Sequence, residues 1–381
     1  MKEGWEYKKL GEVAMLKNGF AFRSTLFRDT GFPIVRISNI QDDVITTDFV
    51  YFDKNDYKEN LEKYEVYEGD ILIAMSGATT GKVGINNNKV ILYLNQRVGK
   101  VIPQKGLYSR YLFYYLKQNA NVSLSVAQGL AQPNISTQQI YNFVLPVPPI
   151  SEQERIVSEL DLLSSIIEKK KAQLKEYDQL AQSIFYDLFG DPVTNEKGWE
   201  VKKLGDVCEY VKTRIKSESI SVSNYVGVEN LLQNCKGKTN AMKVPKDIGL
   251  TYYIDGDVLV GNIRPYLKKI WLADCDGGCN GDVLVIRRRE PHKDTINKMY
   301  LYKCLSADNF FDFAMQYSKG EKMPRGDKKE IMKYLILIPP LSLQQQFAAK
   351  IESIEKQKEL IKQSITEVQT LFDSRMDYWF A

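Results

Sequence analysis

The chain has 381 residues, a length that favours two domains over one, and its hydrophobic fraction of 44% is sufficient for folded cores. Its net charge is only +4, and it has no apolar run near the roughly 20 residues that a membrane span needs. Met1–Glu6 carries charges where a signal peptide would be apolar. All five cysteines lie in the second half, and an odd number favours reduced thiols. We expect a folded cytoplasmic protein without a membrane segment.

The first 150 residues have the pattern of a mixed α and β domain. Short β-rich segments at Pro33–Ile37, Asp70–Ala74 and Val90–Leu94 are separated by Gly and Asn turns. Ser109–Gln118 is a tyrosine-rich helical stretch. We therefore place a globular domain at residues 1–150.

Acidic residues are absent from Ile71 to Ser151, whereas the upstream acids are crowded between Asp42 and Asp70. The acid-free segment contains seven basic residues: Lys82, Lys89, Arg97, Lys100, Lys105, Arg110 and Lys117. Such segregation favours a basic face of the kind that binds nucleic-acid phosphates. The alternative is that folding mixes these charges with acids from elsewhere in the chain.

The loop Ser76–Lys82 resembles a nucleotide-binding phosphate loop but lacks its spacing. Three residues instead of four separate its glycines, and Val83 follows the lysine where a Ser or Thr would hold magnesium. Nucleotide hydrolysis is therefore not predicted. The Gly and Thr amides can still hold a DNA phosphate, with Lys82 adding charge.

Amide side chains are abundant in the same acid-free segment. Asn and Gln can pair with adenine through two hydrogen bonds, and Arg can do so with guanine. The predicted DNA-binding residues of this domain are Ser76, Thr79, Thr80, Lys82, Gln96, Arg97, Gln128, Gln132 and Asn134. Lys82 is expected to contact phosphate, whereas Arg97 or Gln132 is expected to lie closer to bases.

A long helix is predicted at residues 151–190. It follows Pro148–Pro149, which cannot lie inside a helix. Ser151 is a suitable N-cap with Glu154 as its capping-box partner, and Gly190 is expected to end the helix. Its heptad seam comprises Ile156, Leu160, Leu163, Ile167, Lys170, Leu174, Tyr177, Ala181, Ile184 and Leu188.

The sequence then repeats itself. Gly4–Val13 returns as Gly198–Val207 with eight of ten residues identical, and Val147–Ser151 returns as Ile338–Ser342. Such ordered matches indicate a duplicated unit of about 190 residues.

The second copy predicts a globular domain at 191–340 and a second helix at 341–381, with Ser342 in the place of Ser151. The second seam comprises Phe347, Ile351, Ile354, Lys358, Ile361, Ile365, Val368, Phe372, Arg375 and Trp379. Each helix could simply pack on its own domain. Two in-phase helices, each closing one repeat, favour an antiparallel coiled coil instead. The predicted fold class is α+β, with two mixed α/β domains separated by two long antiparallel helices and related by a pseudo-twofold repeat.

The strand before the candidate loop is matched between the copies, but the loop itself is not. In the second copy the matching loop is Asn262–Lys269, and a later basic loop is Lys319–Arg325. The predicted DNA-binding residues there are Asn262, Arg264, Tyr266, Lys268, Lys322 and Arg325. One scaffold with different tips is what two different half-sites require; the alternative is that surface loops drift freely.

Catalytic patterns are missing from the sequence. An amino-methyltransferase needs Asn or Asp before a double proline, where this chain has Val147 and Ile338. His292 is the only histidine, and Cys275 and Cys279 have no second closely spaced pair. Neither a catalytic triad nor a zinc site is predicted. We therefore expect a chain that is not an enzyme and carries no metal or cofactor of its own.

With these features the chain resembles the specificity subunits of Type I restriction-modification systems over essentially its full length. The resemblance is carried by the Trp-x-x-x-x-Leu-Gly openings at Trp5 and Trp199, the loop Ser76–Val83, the run Gln132–Ser136 leading into Pro148–Ile156, and the helix ending Gln182–Gly190. The second copy departs from the family pattern at Lys322–Asp327, which replaces a Gln-x-Asn motif.

The resemblance implies a non-catalytic subunit with two target recognition domains, one for each half of a bipartite, asymmetric site in double-stranded DNA. It also implies that the helices set the gap and dock two modification (methyltransferase) subunits, which hold S-adenosylmethionine, and that restriction subunits join this core. Two other functions remain open: a DNA-modifying or DNA-cleaving enzyme with an unfamiliar site, and a coiled-coil adaptor that does not bind DNA.

Overall fold

The computed structural model of the chain describes residues 4–41, 43–127 and 134–380. The backbone falls into two units. Unit 1 joins Met1–Ala172 with Lys362–Ala381, and unit 2 is Gln173–Ile361. Each unit contains the strands of one repeat together with part of each long helix.

Twelve strands and four helices are described in the first repeat. The strands are β1 (Glu6–Lys9), β2 (Ala14–Asn18), β3 (Phe32–Val35), β4 (Ile40–Gln41), β5 (Val44–Ile45), β6 (Val50–Phe52), β7 (Glu65–Val66), β8 (Ile71–Ala74), β9 (Val83–Ile85), β10 (Leu92–Leu94), β11 (Val98–Pro103) and β12 (Val144–Val147). The helices are α1 (Leu10–Val13), α2 (Ser109–Ala127), α3 (Thr137–Tyr141) and α4 (Ile150–Phe189).

Strand β8 is the central strand of unit 1. It lies between β11 and β9 in a six-stranded sheet of order β2-β11-β8-β9-β5-β4, and a four-stranded sheet of order β6-β3-β10-β7 accompanies it. Successive β8 side chains point to opposite faces. Ile71 and Ile73 enter the core that includes α2, whereas Leu72 and Ala74 enter the core between the sheets. Both faces of β8 are therefore buried, which explains its unbroken apolar sequence.

Helix α2 is attached to β12 through its tyrosines. The buried Tyr111 hydroxyl donates to the carbonyl of Pro146 at 2.9 Å, and the Tyr115 hydroxyl donates to that of Val144 at 3.0 Å. Buried hydroxyls need such partners, because an unsatisfied one costs about 1–3 kcal/mol. The tyrosine-rich helix predicted at Ser109–Gln118 is present and extends to Ala127.

The second repeat has the same number of strands. They are β13 (Glu200–Lys203), β14 (Cys208–Tyr210), β15 (Arg214–Lys216), β16 (Tyr225–Val226), β17 (Gly249–Tyr253), β18 (Val258–Gly261), β19 (Ile270–Leu272), β20 (Gly277–Cys279), β21 (Val283–Arg288), β22 (Ser318–Lys319), β23 (Arg325–Gly326) and β24 (Leu335–Ile338). The helices are α5 (Leu204–Val207), α6 (Lys298–Leu305), α7 (Asp308–Gln316), α8 (Lys328–Ile331) and α9 (Leu341–Phe380).

The strand pairing of unit 2 repeats that of unit 1. Strand β18 is buried between β21 and β19 in a sheet of order β14-β21-β18-β19, as β8 is between β11 and β9. A second sheet has the order β15-β17-β20-β16. Strands β13 and β24 pair antiparallel in the way that β1 and β12 do. The duplicated sequence thus forms a duplicated fold.

The two long helices are antiparallel. In unit 1 the beginning of α4 contacts the end of α9, where the guanidinium of Arg375 donates two hydrogen bonds to the carboxylate of Glu159. In unit 2 the end of α4 contacts the beginning of α9, where Lys358 pairs with Asp178 at 2.8 Å. The predicted fold class is confirmed.

The structure buries or half-buries the predicted seam positions. The core of unit 1 includes Ile156, Leu160, Leu163, Ile167, Ile365, Val368, Phe372 and Trp379. The core of unit 2 includes Tyr177, Ala181, Ile184, Leu188, Phe347, Ile351 and Ile354. Between these two sets, Ile361 is buried and Lys170 and Leu174 are half-buried.

The predicted N-caps are wrong. Helix α4 begins at Ile150 and α9 at Leu341, so Ser151 and Ser342 lie inside the first turn. The carbonyl of Pro149 accepts the N–H of Glu152 at 2.9 Å and thereby starts α4. A proline before the first helical residue supplies this acceptor without needing a donor of its own.

A buried glutamine holds each helix start instead. The Gln153 amide accepts the backbone N–H of Tyr108 at 2.8 Å and donates to the carbonyls of Gly106 at 3.0 Å and Pro148 at 2.8 Å. Gln344 is bonded in the same way to Asn297 N–H and to the carbonyls of Thr295 and Pro339. Both glutamines are fully buried. We call these two arrangements the glutamine clamps.

Candidate nucleic-acid interface

Three segments of unit 1 meet beyond the end of β8. The backbone N–H of Met75 donates to the carbonyl of Arg97 at 3.0 Å, and the carbonyl of Met75 accepts from Ile135 at 2.9 Å. Ser76 forms an isolated β-bridge with Asn134. We define junction 1 as the segments Met75–Ser76, Asn95–Arg97 and Asn134–Ile135. The fold thus brings together Ser76, Arg97 and Asn134, which are distant in sequence.

Loop 1, Gly77–Gly81, projects from junction 1. Gly77 and Gly81 have φ angles of 82° and 84°, which glycine adopts without strain. Thr80 is buried, and its hydroxyl donates to the carbonyl of Gly77 at 2.7 Å. The hydroxyl of Thr79 donates to the carbonyl of Ile37 at 3.3 Å. These threonines shape the loop from inside. Lys82, directly after it, is exposed.

The other predicted residues of unit 1 lie around this junction or outside the described residues. Gln96, Arg97 and Asn134 are exposed. Gln128 and Gln132 fall in the segment between 127 and 134 that the structure does not describe.

Unit 2 forms the same arrangement, which we call junction 2. The N–H of Asn262 donates to the carbonyl of Asp282 at 2.8 Å, and the carbonyl of Asn262 accepts from Gly326 at 3.2 Å. Ile263 forms an isolated β-bridge with Arg325. These three contacts reproduce those of Met75, Ser76 and their partners in unit 1. Two backbone junctions of one geometry therefore carry different side chains.

The projecting loops also correspond residue for residue. Loop 2, Arg264–Lys268, has the length of loop 1, so Arg264 takes the place of Gly77 and Lys268 that of Gly81. The φ angles of Arg264 and Lys268 are 52° and 49°. Both loops are followed by a lysine whose carbonyl accepts an N–H from the last residue of the preceding strand, at 2.9 Å in each unit.

The predicted DNA-binding side chains of unit 2 differ in how they are held. Lys268 pairs with Asp308 at 2.7 Å, and Arg325 pairs with Asp282 at 3.2 Å. Arg264, Tyr266 and Lys322 are exposed, and within the described part of the chain their side chains have no ion pair or hydrogen-bond partner. Unit 2 thus offers both fixed and unpaired polar groups at its junction.

The third segment of junction 2 is anchored by an acidic cap. The Lys319 ammonium and the N–H groups of Lys329 and Glu330 hold the pKa of the Asp327 carboxyl at about 2. Asp327 is the N-cap of α8 and directly follows Gly326. Its ionised form therefore fixes the segment that bears Arg325.

Each junction contains buried polar atoms without a partner among the described residues. They are Ser76 Oγ and Arg36 Nε in unit 1 and Asn262 Oδ1 in unit 2. Arg36 lies next to junction 1, because its neighbour Val35 accepts the N–H of Asn95. Buried polar groups in folded proteins are nearly always bonded. Such atoms can be satisfied by solvent or by a ligand, and each junction has at least one of them.

The acid-free segment keeps only part of its positive charge. Lys100 pairs with Asp70, Lys117 with Asp43 and Arg110 with Asp161. The four remaining basic residues are exposed and have no acidic partner in the described residues: Lys82, Lys89, Arg97 and Lys105. Folding therefore mixes some of the charges, as the alternative interpretation held, and leaves Lys82 and Arg97 unpaired at junction 1.

Three residues of the junctions were missed by the sequence analysis. Lys269 is the structural counterpart of Lys82, although Lys268 was selected; its ammonium donates to the carbonyl of Val228 at 2.7 Å. Asp282 and Arg36 were not considered. The Lys after each loop was the available signal, because it stands just before the next strand in both copies.

Other features of the described residues concern metal binding, thiol chemistry and membrane insertion. They include no group of His, Cys, Asp and Glu that could hold a metal ion. Burial raises the pKa of the Cys279 thiol to about 12, which keeps it protonated and unreactive. No described helix has the length and apolarity that crossing a bilayer requires.

Two copies of one junction, with different exposed side chains on a shared backbone, define a duplicated recognition protein. The model of the Type I restriction modification DNA specificity domain matches residues 2–176 and again residues 196–370. The chain therefore belongs to the family of Type I restriction-modification specificity subunits and carries two target recognition domains.

Known relatives agree with this assignment. The EcoBI specificity subunit of Escherichia coli is 24% identical, over 98% of this chain and 84% of that protein. The putative MjaX specificity subunit of Methanocaldococcus jannaschii is 22% identical, over 97% and 92% respectively. The crystal structure of the S subunit from M. genitalium can be superposed on this chain with a TM-score of 0.60 at 13% identity, and the match covers 100% of this chain and 98% of that subunit. The likeness to that structure supports the fold.

Proposed function

We propose that each unit reads one half of a bipartite, asymmetric DNA site through its junction. The observation that carries this proposal is the pair of junctions, because the same backbone bonds present Ser76, Arg97 and Asn134 in one unit and Arg264 and Arg325 in the other. Arg and Asn side chains discriminate bases in the major groove. Two different sets on one scaffold therefore suit two different half-sites.

The chemistry then belongs to partner subunits. We propose that two modification subunits dock on α4 and α9, bring S-adenosylmethionine and methylate the site, and that restriction subunits join this core in the cytoplasm. The support for this division is the family to which the chain belongs, whose model matches residues 2–176 and 196–370. A chain in a solved structure titled for complex assembly of the Type I system matches this one with a TM-score of 0.56.

The test is to map methylated positions in a host genome that expresses the chain with its modification partner. We expect a single two-part motif. Arg97→Ala should relax a position in one half, and Arg325→Ala should relax a position in the other, each by roughly 1–3 kcal/mol. The matched control is Lys105→Ala, because Lys105 is exposed but lies beyond the opposite end of β11 from Arg97. Variants that both alter the same half, or a chain that yields no motif, would refute the proposal.

We further propose that α4 and α9 set the gap between the half-sites, whose centres are expected about one helical turn, roughly 10 base pairs, apart. Seven residues inserted after Ala172 in α4 and after Ile361 in α9 leave the contacts within each unit intact, because the units divide there. One heptad keeps the seam in phase and adds about 10 Å. At about 3.4 Å per base pair the gap should lengthen by up to about three base pairs.

The control for this experiment is a five-residue insertion at the same two places, which matches neither the three-residue nor the four-residue spacing of the seam and therefore breaks its phase. The same half-sites with a longer gap support the proposal. An active heptad variant with unchanged spacing shows that the helices do not set the gap.

A further inference from the structure

Loop 2 is the most strained segment of the described chain. Arg264 and Lys268 have positive φ angles, and so do Asn234 and Cys235 in the turn that faces them, at 57° each. These are four of the seven described non-glycine residues with positive φ. Asn tolerates this conformation, whereas Arg, Lys and Cys do so only at a cost. The strain is therefore concentrated in loop 2 and the turn that faces it.

Backbone bonds hold this conformation. The N–H of Asn234 donates to the carbonyl of Leu267 at 3.0 Å, and that of Cys235 donates to the carbonyl of Lys268 at 2.8 Å. A strained backbone persists only where its surroundings determine it, as they do here.

The two ends of loop 2 are also attached to other segments. The Lys268 ammonium pairs with Asp308 on α7, and the N–H of Arg264 donates to the carbonyl of Pro324 at 2.7 Å. Loop 2 is thus fixed at both ends, so the backbone of Arg264 has a defined position and its Cα–Cβ bond a defined direction.

The corresponding residue of unit 1 shows that the strain is avoidable. Gly77 occupies the same place in loop 1 with a φ of 82° and no steric cost. A glycine at 264 would satisfy the same backbone bonds, so the fold does not require arginine there. The Arg264 guanidinium is exposed and has no ion pair or hydrogen bond with any described residue, whereas Arg325 pairs with Asp282. The side chain has no structural role in unit 2 that explains its cost.

We propose that Arg264 is a specificity-determining residue that reads a guanine in the half-site bound by unit 2; this rests on the proposed function of junction 2. A guanidinium presents a planar fork of donors that matches O6 and N7 of guanine. A phosphate contact would not need this anchoring, because a phosphate can be approached from many directions by a flexible side chain. A fixed backbone that orients one arginine side chain is suited to hydrogen bonding with the edge of a base.

Genome-wide methylation maps of three variants test the assignment. Arg264→Gly removes the guanidinium in a backbone that glycine fits, and Arg264→Lys keeps the charge but loses the fork. Arg264→Gly should relax the requirement for one guanine in one half of the motif by about 5- to 150-fold, with the other half unchanged, and Arg264→Lys should relax it less, because an ammonium can also donate to O6 and N7. The matched control is Asn234→Gly, which replaces an exposed residue of the same φ in the facing turn and should leave the motif unchanged.

A second measurement identifies the atom that is read. Binding of the chain with its modification subunits is compared on a duplex with guanine and one with 7-deazaguanine at the relaxed position. Loss of N7 should weaken wild-type binding by about ten-fold and should not affect Arg264→Gly.

The outcomes separate this inference from the function on which it rests. If the wild-type chain gives no two-part motif, the proposed function fails. If the motif is present but Arg264→Gly weakens methylation equally at all sites, Arg264 contacts phosphate and the inference is overturned. The inference is also overturned if Arg264→Gly retains the guanine requirement in full, since that variant has no side chain that could read the base.

Discussion

The glutamine clamps give the clearest test of how each unit is held together. Replacing Gln153 by alanine removes one acceptor and two donors from a fully buried position. The buried carbonyl of Pro148 then loses this partner, while Tyr108 and Gly106 are exposed residues whose backbone groups can bond to water. One unsatisfied buried carbonyl predicts a loss of roughly 1–3 kcal/mol in the unfolding free energy of unit 1. A typical domain has about 5–15 kcal/mol in total.

The four tryptophans allow the two units to be measured separately, because Trp5 and Trp379 belong to unit 1 and Trp199 and Trp271 to unit 2. Trp5 and Trp379 are stacked at 5.9 Å, so their fluorescence reports on the packing of unit 1. In a chain that also carries Trp199→Phe and Trp271→Phe, Gln153→Ala should lower the urea concentration at the unfolding midpoint and leave the slope of the unfolding free energy against urea unchanged.

Unit 2 provides the matched comparison. Gln344→Ala should destabilise unit 2 by a similar amount, whereas Gln345→Ala should change stability by less than about 0.5 kcal/mol, because Gln345 is exposed on the same turn of α9. If Gln153→Ala and Gln344→Ala were as mild as Gln345→Ala, the clamps would contribute nothing to stability and the reasoning would be refuted.

Two further predictions concern the junctions. Lys82→Ala should weaken binding to all DNA sequences alike and lower the slope of log affinity against log salt by about 0.9, whereas Lys105→Ala should not; an unchanged slope contradicts a phosphate contact by Lys82. Because the pKa of Asp327 is lowered to about 2 in the folded chain from its ordinary value of 3.8, its ionised form stabilises unit 2 above about pH 4, and this contribution is lost as the pH falls towards 2. The stabilities of wild type and Asp327→Asn should therefore differ at neutral pH and converge near pH 2 in urea titrations, and a constant difference across that range contradicts the assignment.

The fold could be predicted from the sequence where the signal is local or repeated. The heptads of α4 and α9 and the returning Gly-Trp-Glu segment are visible in the letters. The contacts that hold the helix starts could not be predicted, because the acceptor is the carbonyl of Pro149 and the stabilising side chain is Gln153, which bonds to residues far upstream. Ser151 is a residue type that commonly caps helices, but it lies inside the first turn of α4.

The candidate site was predicted only in part because its geometry is not local. Lys117 pairs with Asp43 and Arg110 with Asp161. These partners are far apart in sequence, so counting charges along the chain cannot predict the pairs. The correspondence of loop 1 with loop 2 depends on φ angles, and Gly-Ala-Thr-Thr-Gly shares no residue type with Arg-Pro-Tyr-Leu-Lys. Only the backbone shows that Arg264 stands in the place of a glycine.

In each unit the glutamine clamp and the junction lie near opposite ends of one strand, β11 in unit 1 and β21 in unit 2. Junction 1 adjoins Val98 at the start of β11, and the Gln153 clamp grips Gly106 just beyond its end; the strand between them spans roughly 20 Å at about 3.3 Å per residue. In unit 2, Asp282 precedes β21 and the Gln344 clamp grips Thr295 beyond it. Interactions so far apart contribute independently to the free energy of a domain. Side chains at the junctions can therefore differ between the units, and can even carry strain as in loop 2, while the clamps that hold each helix to its domain stay the same.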